Sequence, residues 1–430
     1  MGPHHDVAGD LATLLGGAPP VALRAYDGSR YDPGGNGAGG NGAATDAAIV
    51  VRSPAAITRI VTAPGELGFA RAYVAGDLEL EGDIFDVLRV MDTVRDVRPS
   101  RASAEALAAL VRTAGLRRLP PPPEEARVRG LRHSRARDAA AIAYHYDVSN
   151  RFYRIVLGPS LTYSCAVWSP DTTTLEDAQD AKYELICRKL DLRPGMRLLD
   201  VGCGWGGMLL HAAAHHGVRA VGVTLSREQA ELARKRVAEA GLTDRIEVRF
   251  ADFRDVDDGP YDAISSIGMF EHVGLRELAG YFERCHALLA PRGRLLNHAI
   301  GRPGHSHRHR WQHLTPGLRP TFFDRYVFPD GELHEVGTVV SAMQQAGFEV
   351  RHLESLREHY ALTLRRWIEN LEAGWDEAVA EVGIGRARVW RLYMAAAALG
   401  FERDQHQIHQ VLATSTRAGD SGMPLRPAFG

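Results

Sequence analysis

The segment that most constrains the fold of this chain is an apolar stretch that runs into a glycine-rich turn. Residues 198–207 read Leu-Leu-Asp-Val-Gly-Cys-Gly-Trp-Gly-Gly, and an apolar helical pattern begins at Met208. Glycines in such a turn let the backbone pass close to a ligand where a Cβ atom would collide. The spacing differs from the Gly-x-Gly-x-x-Gly of dinucleotide-binding loops. The segment therefore predicts a strand, a turn and a helix, in which the turn either cradles a ligand or only connects the two elements.

From residue 196 onward, short apolar runs alternate with amphipathic stretches, which is typical of a parallel α/β sheet. One helix is well delimited, because Ser226 is placed to cap its start and Gly241 follows its end. The predicted strands cover 197–201, 219–223, 246–250, 261–266, 293–298, 348–354 and 408–414, and the predicted helices cover 227–240, 276–289, 332–346, 361–381 and 386–401. The predicted fold class is therefore α/β and Rossmann-like.

Charge, hydropathy and cysteine usage exclude several classes of function. The 430 residues carry 51 basic and 53 acidic side chains, and this balance argues against a nucleic-acid partner. No apolar run reaches the roughly 18 residues of a transmembrane helix, and the polar first ten residues lack the apolar centre of a signal peptide. The four cysteines, at 165, 187, 203 and 285, show neither pairing nor zinc spacing. We therefore predict a cytoplasmic protein without a metal site.

The residues before the sheet divide into a small domain and a connector. Residues 1–96 are predicted to form a small α+β N-terminal domain. Its predicted elements are strands at 21–26 and 48–51 and helices at 54–61 and 84–91. Residues 97–137 are rich in arginine and include the proline run 120–123, so we expect an extended, partly helical connector. Its arginines either lie on a solvated linker or face anionic lipid headgroups. Residues 138–430 are then the main domain.

The glycine turn resembles motif I of S-adenosylmethionine (SAM) methyltransferases, in which an acidic residue on the strand precedes a Gly-x-Gly-x-Gly turn. Asp200 is that acid, and the turn glycines are Gly202, Gly204 and Gly206. The second strand lacks the acid that commonly binds the ribose hydroxyls of a nucleotide cofactor. Thr224 and Gln229 are placed to supply those hydrogen bonds instead.

Polar and aromatic residues also follow the next three strands. Asp252 is placed to accept a hydrogen bond from an adenine amino group, and Phe253 is placed to stack on the ring. Glu271 and His272 follow the fourth strand, and His298 ends the fifth. Because open α/β sheets bind ligands at the carboxyl ends of their strands, we expect these side chains at the rim of one active site.

Two segments dense in aromatic and polar residues, 144–153 and 161–168, precede the first strand of the sheet. Together with the motifs at the strand ends, they resemble the cyclopropane-fatty-acyl-phospholipid synthases and their mycolic-acid methyltransferase relatives. The resemblance is carried, in family order, by His145-Tyr146-Asp147, Asn150-Arg151-Phe152-Tyr153, Tyr163-Ser164-Cys165-Ala166, residues 199–206, Thr224-Leu225-Ser226, Met269-Phe270-Glu271-His272-Val273-Gly274, Tyr326-Val327-Phe328-Pro329-Asp330-Gly331, and Tyr360, Leu364 and Trp367. A set of this length and order is highly specific.

The resemblance implies a fold and a reaction. The fold is a class I SAM methyltransferase domain with helical additions. In the reaction, a double bond of a phospholipid acyl chain attacks the SAM methyl group and a carbocation forms. A bound bicarbonate ion removes a proton, and the ring closes to a cyclopropane if that proton leaves the new methyl group. Aromatic faces and nearby negative charge stabilise such a cation in an apolar pocket.

By motif match, the resemblance assigns two sets of site residues. The catalytic residues, which also hold bicarbonate, are Cys165, Glu271, His298 and Tyr360, together with the Ile300 backbone. The residues that contact SAM are Tyr163, Ser164, Asp200, Gly202, Gly204, Gly206, Thr224, Leu225, Gln229, Asp252 and Phe253. Without the family match, a cysteine or histidine at these positions is equally well an ordinary core residue.

Departures from the family pattern leave the product open. Val148-Ser149-Asn150 stands where many synthases have a glycine before the asparagine, and alanines 395–398 stand where some members have a cysteine. No thiol at that place is therefore essential to this chain. The first departure and the segment 71–83 look like the actinobacterial subgroup that makes 10-methylene and 10-methyl fatty acids. There a hydride shifts to the cation, an exomethylene forms, and a separate reductase saturates it. Cyclopropane and 10-methylene products stay equally compatible with the sequence.

The resemblance also implies partners. It predicts a phospholipid substrate with an unsaturated acyl chain, a peripheral place on the inner face of the membrane, and a homodimer. Residues 1–96 are then a lipid-binding or dimerising domain. The alternative function is a small-molecule O- or N-methyltransferase on the same fold, since fold does not fix function. The catalytic set discriminates between the two, because methylation of a heteroatom needs no bicarbonate pocket.

The histidine-rich segment 305–313 is compositionally similar to metal-binding tracts. Its spacing suits neither a helix face nor a zinc pattern, and it contains no carboxylate or thiol. We favour a mobile basic loop over the lipid entrance.

Overall fold

The computed structural model describes residues 6–33, 46–95, 100–115, 117–126, 137, 148–304, 321–329 and 331–429. The predictions for His145-Tyr146-Asp147, Asp330, the tract 305–313 and the arginine-rich residues after 126 fall outside the described residues, Arg137 excepted. Contacts group the chain into two units, which interleave in sequence. The first comprises residues 1–127, 317–327 and 382–396, and the second comprises the remainder. The linear domain boundaries at 96 and 137 stay predictions.

The first unit contains a small mixed sheet. Its strands are β1 (Ala22–Ala25), β2 (Arg30–Tyr31), β3 (Ala48–Val51) and β4 (Leu78–Glu81), in the order β2-β1-β3-β4. β1 and β3 run parallel, and the other two pairs are antiparallel. Its helices are Val7–Leu14, Pro54–Thr62, Glu66–Val74, Ile84–Arg95, Arg101–Ala114 and Phe322–Tyr326. The predicted α+β character of the N-terminal region is confirmed.

A forked ion pair joins remote segments of the first unit. Arg71 donates two N–H groups to the Glu125 carboxylate, at 2.8 and 2.7 Å, and the Tyr326 hydroxyl donates to it at 3.2 Å. The Glu125 side chain is only 6% exposed. Because an arginine fork accepts few orientations of a carboxylate, the pair fixes these three segments against one another.

The second unit contains a seven-stranded sheet. Its strands are β5 (Arg197–Val201), β6 (Arg219–Thr224), β7 (Ile246–Phe250), β8 (Tyr261–Ile267), β9 (Leu289–Gly301), β10 (Phe348–Ser355) and β11 (Gln407–Ser415). The order is β10-β11-β9-β8-β5-β6-β7, and β11 runs antiparallel to both of its neighbours. The other pairs are parallel. All seven strands occur where the sequence pattern predicted them, and β9 extends further in both directions.

Helices flank this sheet and precede it. They are Asn150–Leu157, Leu175–Leu190, Gly207–His216, Arg227–Glu239, Leu278–Leu288, Val336–Gln345, Arg357–Ala373, Trp375–Val382 and Ile384–Glu402, and the last two contribute residues to both units. The cap predicted at Ser226 is present, since its side chain accepts from the Gln229 N–H. The single helix predicted over 361–381 is wrong, because the chain breaks at Gly374, where a Cβ would lie 2.6 Å from Ile155.

The two faces of the large sheet bury separate apolar layers. Adjacent residues of the central strands alternate between them: Leu198, Ala263 and Leu296 lie in one layer, and Leu199, Ile264 and Leu295 lie in the other. This is the pattern of a parallel sheet that is covered on both faces. Because the faces are covered, a ligand site in such a sheet lies at the carboxyl ends of the strands. Within the described ranges, no helix combines the length and hydrophobicity that a transmembrane span requires.

Candidate active site

A cavity of about 440 Å³ lies at the carboxyl ends of β5, β6, β7 and β8. The predicted SAM contacts that line it are Tyr163, Ser164, Asp200, Gly202, Gly204, Thr224, Leu225, Gln229, Asp252 and Phe253. Ten of the eleven residues predicted to contact SAM therefore line one cavity. Gly206 is the exception.

Backbone conformation explains the glycines of the turn. Gly202 and Gly204 have φ values of 78° and 53°, in the left-handed region that favours glycine. A Cβ on Gly202 would lie 2.7 Å from Met269, whereas a Cβ on Gly204 would meet nothing within 4 Å. Gly206, with φ of 79°, is the capping residue of the Gly207–His216 helix. It does not line the cavity, and its contact with SAM stays a prediction.

Asp200 is almost fully buried at the end of β5, at 2% exposure. The Ser265 hydroxyl donates a hydrogen bond to it at 2.6 Å. Burial raises the pKa of Asp200 to about 6, against the lowering effects of Ser265 and of the Lys182 charge. The acid of the glycine motif is thus part of the cavity wall, and it is desolvated before any ligand arrives.

Lys182 is a cavity residue that sequence reasoning missed. Its side chain is fully buried and its ammonium donates to the Ser164 hydroxyl at 3.1 Å. The ammonium also lies 3.4 Å from the centroid of the Tyr183 ring. Burial lowers the pKa of Lys182 to about 7, against the raising effect of Asp200. The sequence does contain a pattern that indicates this burial. One face of the Leu175–Leu190 helix is formed at helical spacing by Gln179, Lys182, Ile186 and Lys189, and all four are buried.

The far side of the cavity is organised around the ends of β6 and β7. The Thr224 hydroxyl donates to the Gln229 amide oxygen at 2.7 Å, which orients that amide. Asp252 accepts hydrogen bonds from the backbone and guanidinium of Arg254, so this carboxylate is already fixed in place. Phe253 packs on Tyr281 with ring centroids 5.4 Å apart.

The predicted bicarbonate residues make short contacts in two separate groups, one at Glu271 and Ile300 and the other at Cys165 and Tyr360. Glu271 Oε1 accepts from the Ile300 N–H at 2.7 Å, and Ile300 lies two residues after His298 on β9. The Cys165 thiol points to the Leu356 carbonyl at 3.7 Å, and the same carbonyl accepts from the Tyr360 N–H. The Ile300 N–H was predicted to bind bicarbonate, but in this structure it is donated to Glu271.

Two polar atoms of this group are buried and have no hydrogen-bond partner among the described residues: Glu271 Oε2 and His298 Nε2. Burial raises the pKa of Glu271 to about 7 and lowers the pKa of His298 well below its usual range. Burial likewise raises the pKa of the Cys165 thiol. Unpaired buried polar atoms are expensive. One of these belongs to a residue of β9 and the other to a carboxylate bonded to β9 two residues further on, which indicates a site for a small polar ligand at this strand.

Aromatic rings connect the glycine turn to this polar group. Consecutive centroids are 4.7 to 5.9 Å apart along the series Trp205, Tyr153, Tyr163, Trp367, Tyr360 and Phe401. Such a series excludes water and offers ring faces to a cation.

One cluster outside the cavity resembles a metal site. Ligand atoms of Cys187, His211 and His216 lie within 4.8 Å of one another, although their spacing in sequence gave no such signal. Glu184 Oε2 lies 2.9 Å from His216 Nε2 and 3.4 Å from His211 Nε2. This shared carboxylate accounts for the cluster by hydrogen bonding, and the prediction of no metal site stays a prediction.

The sheet order and the glycine-cradled cavity define a class I SAM methyltransferase fold. A family model described as mycolic acid cyclopropane synthetase matches residues 133–411. A crystal structure of the mycolic acid cyclopropane synthase CmaA1, complexed with SAH and CTAB, is similar with a TM-score of 0.60 and 33% identity, and the match covers 64% of this chain and 98% of that one.

Two curated relatives extend the comparison. A probable fatty acid methyltransferase of Mycobacterium tuberculosis is 48% identical over 425 residues, which cover 96% of this chain and 95% of the relative. The cyclopropane-fatty-acyl-phospholipid synthase of Escherichia coli K12 is 35% identical over 268 residues, which cover 62% of this chain and 66% of the relative. The chain belongs to the mycolic acid cyclopropane synthetase family. It is a SAM-dependent enzyme of the fatty acid methyltransferase and cyclopropane synthase type.

Proposed function

We propose that this enzyme transfers the methyl carbon of SAM to a cis double bond in an acyl chain of a phospholipid. The names of the two curated relatives support a fatty acyl substrate, and one of them names a phospholipid. The observation that carries the proposal is the pair of unpartnered buried atoms on Glu271 and His298, together with a series of aromatic rings that starts at the wall of the SAM cavity and reaches Tyr360. Methyl transfer to a hydrocarbon needs a dry pocket, ring faces for a cation and a base for one proton.

The cavity residues fit SAM, which supplies an electrophilic methyl group when bound. Gly202 and Gly204 allow the backbone to approach it, and Thr224 presents an oriented Gln229 amide towards the ribose. We assign the amino-acid carboxylate of SAM to Lys182, since the glycine turn is where family members hold the methionine end. An ammonium beside this carboxylate recovers part of what its burial costs.

The residues of the second group fit a small anion such as bicarbonate. At neutral pH Cys165 is a thiol and His298 is a neutral ring, so neither repels an anion. Glu271, with a pKa of about 7, is able to share its proton with the anion. The anion would accept the proton that leaves the alkylated acyl chain. The Tyr360 ring packs between Trp367 and Phe401 in the aromatic series, and we assign its hydroxyl to the same anion.

Two products are compatible with this reaction, a cyclopropane and a 10-methylene chain, and one observation favours the 10-methylene chain. A relative whose match covers 96% of the chain is named a probable fatty acid methyltransferase, whereas the match to the cyclopropane synthase covers 62% of the chain. We therefore propose a 10-methylene chain, saturated by a separate reductase, with cyclopropane as the competing product. We also propose a homodimer that acts at the inner surface of the membrane.

The decisive experiment incubates the enzyme with SAM and vesicles of dioleoyl phosphatidylglycerol. Cyclopropane and methylene products are isomers of equal mass, so proton NMR of the released fatty acids must separate ring protons from vinylic ones. The assay is run in carbonate-free buffer and again after bicarbonate is restored, and rescue by bicarbonate is expected. Turnover of small amines or phenols with none on vesicles would replace this proposal with the heteroatom methyltransferase.

Glu271→Gln tests the place of that residue beside the anion. We expect the rate to fall far more than the SAM affinity, because Glu271 lies outside the SAM cavity. Glu283→Gln is the matched control, since Glu283 is an exposed carboxylate on the neighbouring helix. Equal losses of rate and of SAM affinity in the Glu271 variant would contradict its assignment.

A further inference from the structure

Three side chains form a row across neighbouring strands of the large sheet. Glu354 on β10 lies opposite Gln410 on β11, and Gln410 lies opposite His298 on β9. Directly opposite residues of antiparallel strands project to the same face, with Cβ atoms about 5 Å apart. Gln410 and His298 are fully buried. The register therefore brings the Gln410 amide to the imidazole, and a slip of one residue would turn it to the other face.

Lys189 reaches this row from the Leu175–Leu190 helix and is itself fully buried. Its ammonium donates to Gln410 Oε1 at 2.7 Å and to the Glu354 carboxylate. Because an ammonium only donates, the amide oxygen of Gln410 faces Lys189 and the amide NH2 group faces away.

The Gln410 NH2 group lies 3.0 Å from Nδ1 of His298. An amide nitrogen only donates, so Nδ1 is the unprotonated nitrogen of the ring. Burial, with added effects of the Lys182 and Lys189 charges, holds the pKa of His298 well below its usual range and keeps the ring neutral. A neutral ring with a bare Nδ1 carries its proton on Nε2, the atom left without a partner.

We propose that Gln410, held by Lys189, is a positioning residue that fixes the Nε2–H tautomer of His298 and so presents an N–H donor to the anion of the active site. The identity of that anion rests on the proposed function, but the tautomer does not. Each member of the series Lys189, Gln410 and His298 donates to the next, and the charge of Lys189 polarises the bonds that follow. The opposite tautomer would present a lone pair to the anion and repel it.

Histidine ¹⁵N spectra of the unmodified protein test the tautomer directly. The signals of His298 are identified as those that disappear in the His298→Asn variant. For this ring we expect a protonated Nε2 and an unprotonated Nδ1. A proton on Nδ1 of this ring would overturn the proposal at once, whatever the enzyme's activity.

Gln410→Glu tests the relay. The new carboxylate accepts from Lys189 as the amide oxygen did, but it offers no N–H, so the His298 proton is expected to move to Nδ1. We expect kcat to fall on the order of 10²-fold, as for the loss of one donor to an oxyanion, with KM and SAM affinity unchanged. Gln407→Glu makes the same change on the same strand at a side chain that bonds to Asp404, and it should leave kcat unchanged.

The outcomes separate this proposal from the proposed function. A fall in kcat with the proton still on Nε2 would refute the relay, because the loss would have another cause. The predicted change of tautomer in a protein that never alkylates acyl vesicles would refute the proposed function and leave the relay intact. If Gln410→Glu fails to bind SAM through misfolding, the spectrum of the unmodified protein still decides.

Discussion

Glu271→Gln should make this protein more stable at alkaline pH while it removes most of its activity. The Glu271 side chain is 9% exposed, and its Oε2 has no partner among the described residues. Burial raises the pKa of its carboxyl from 4.5 to about 7, against the hydrogen bond from the Ile300 N–H. A glutamine keeps the acceptor for Ile300 and can never ionise. The substitution therefore isolates the free energy of burying one charge.

The sign follows from proton linkage. Below pH 4.5 the carboxyl is protonated in the folded and unfolded states, so its ionisation carries no penalty. As the pH rises towards 7, folding must retain a proton that the unfolded chain releases, and stability falls; above about 7 the folded state bears a buried charge. The displacement from 4.5 to about 7 corresponds to a penalty of about 3 kcal/mol. Most of it, about 2 kcal/mol, develops between about pH 5.5 and about pH 8.

Urea unfolding of both proteins at these two pH values measures the effect. The buried amide NH2 of the variant has its own cost, but that cost does not depend on pH and cancels in the difference between the two conditions. Other groups that titrate in this range, such as Asp200 and Lys182, are common to both proteins and also cancel. We expect the variant to gain about 2 kcal/mol relative to the parent on going from the lower to the higher pH. An equal stability difference at both values would refute the buried, unpaired acid.

Three further substitutions test other parts of the structure. Gly202→Ala should weaken SAM binding at least tenfold, by about 1.4 kcal/mol or more, because the new Cβ would collide with Met269. Gly241 has a similar φ and nothing within 4 Å of a Cβ, so the Gly241→Ala variant should bind SAM normally. Lys182→Met should raise the calorimetric Kd for SAM roughly tenfold through loss of a buried charged hydrogen bond, and the exposed Lys235→Met should not. Glu125→Gln should lower the free energy of unfolding by about 3 kcal/mol, because it leaves a guanidinium without its charge partner, and an unchanged urea midpoint would contradict that role.

The sheet of the second unit was predictable because the sequence pattern that indicates each strand lies within the strand and its flanking turns. Each central strand is a short apolar run between turn residues, and both of its faces are buried. β5 therefore begins and ends where the hydrophobic pattern does, and β8 runs only one residue further. The break at Gly374 was not predictable in this way. Gly374 lies against Ile155, more than two hundred residues earlier in the chain, so closely that a Cβ would not fit, and amphipathic periodicity carries no information on such a contact.

The site was predictable where the residue types are chemically unusual and unpredictable where they look ordinary. The glycines and strand-end polar residues stand out in any α/β sequence. Lys182 and Gln410 do not, because a lysine in an amphipathic helix and a glutamine in an edge-region strand are normally solvated. Only the packing of the Leu175–Leu190 helix and the pairing of β11 with β9 shows that both are buried.

The protonation states of these groups bear on how the SAM cavity and the site proposed for the anion would be occupied together. Burial brings the pKa of Lys182 and that of Glu271 to about 7, which draws both groups towards their neutral forms, and it keeps His298 neutral. Lys182, Glu271 and His298 together therefore carry little net charge at neutral pH, and the low dielectric around them amplifies the charge of a ligand. SAM brings a sulfonium and the proposed anion brings the opposite sign, so each ligand offsets the electrostatic cost of the other. Fully ionised side chains would bind either SAM or the proposed anion tightly and exclude the other ligand. Nearly neutral side chains in a dry environment favour the binding of both together. The methyl group of SAM is then the strongest electrophile in reach of the acyl chain.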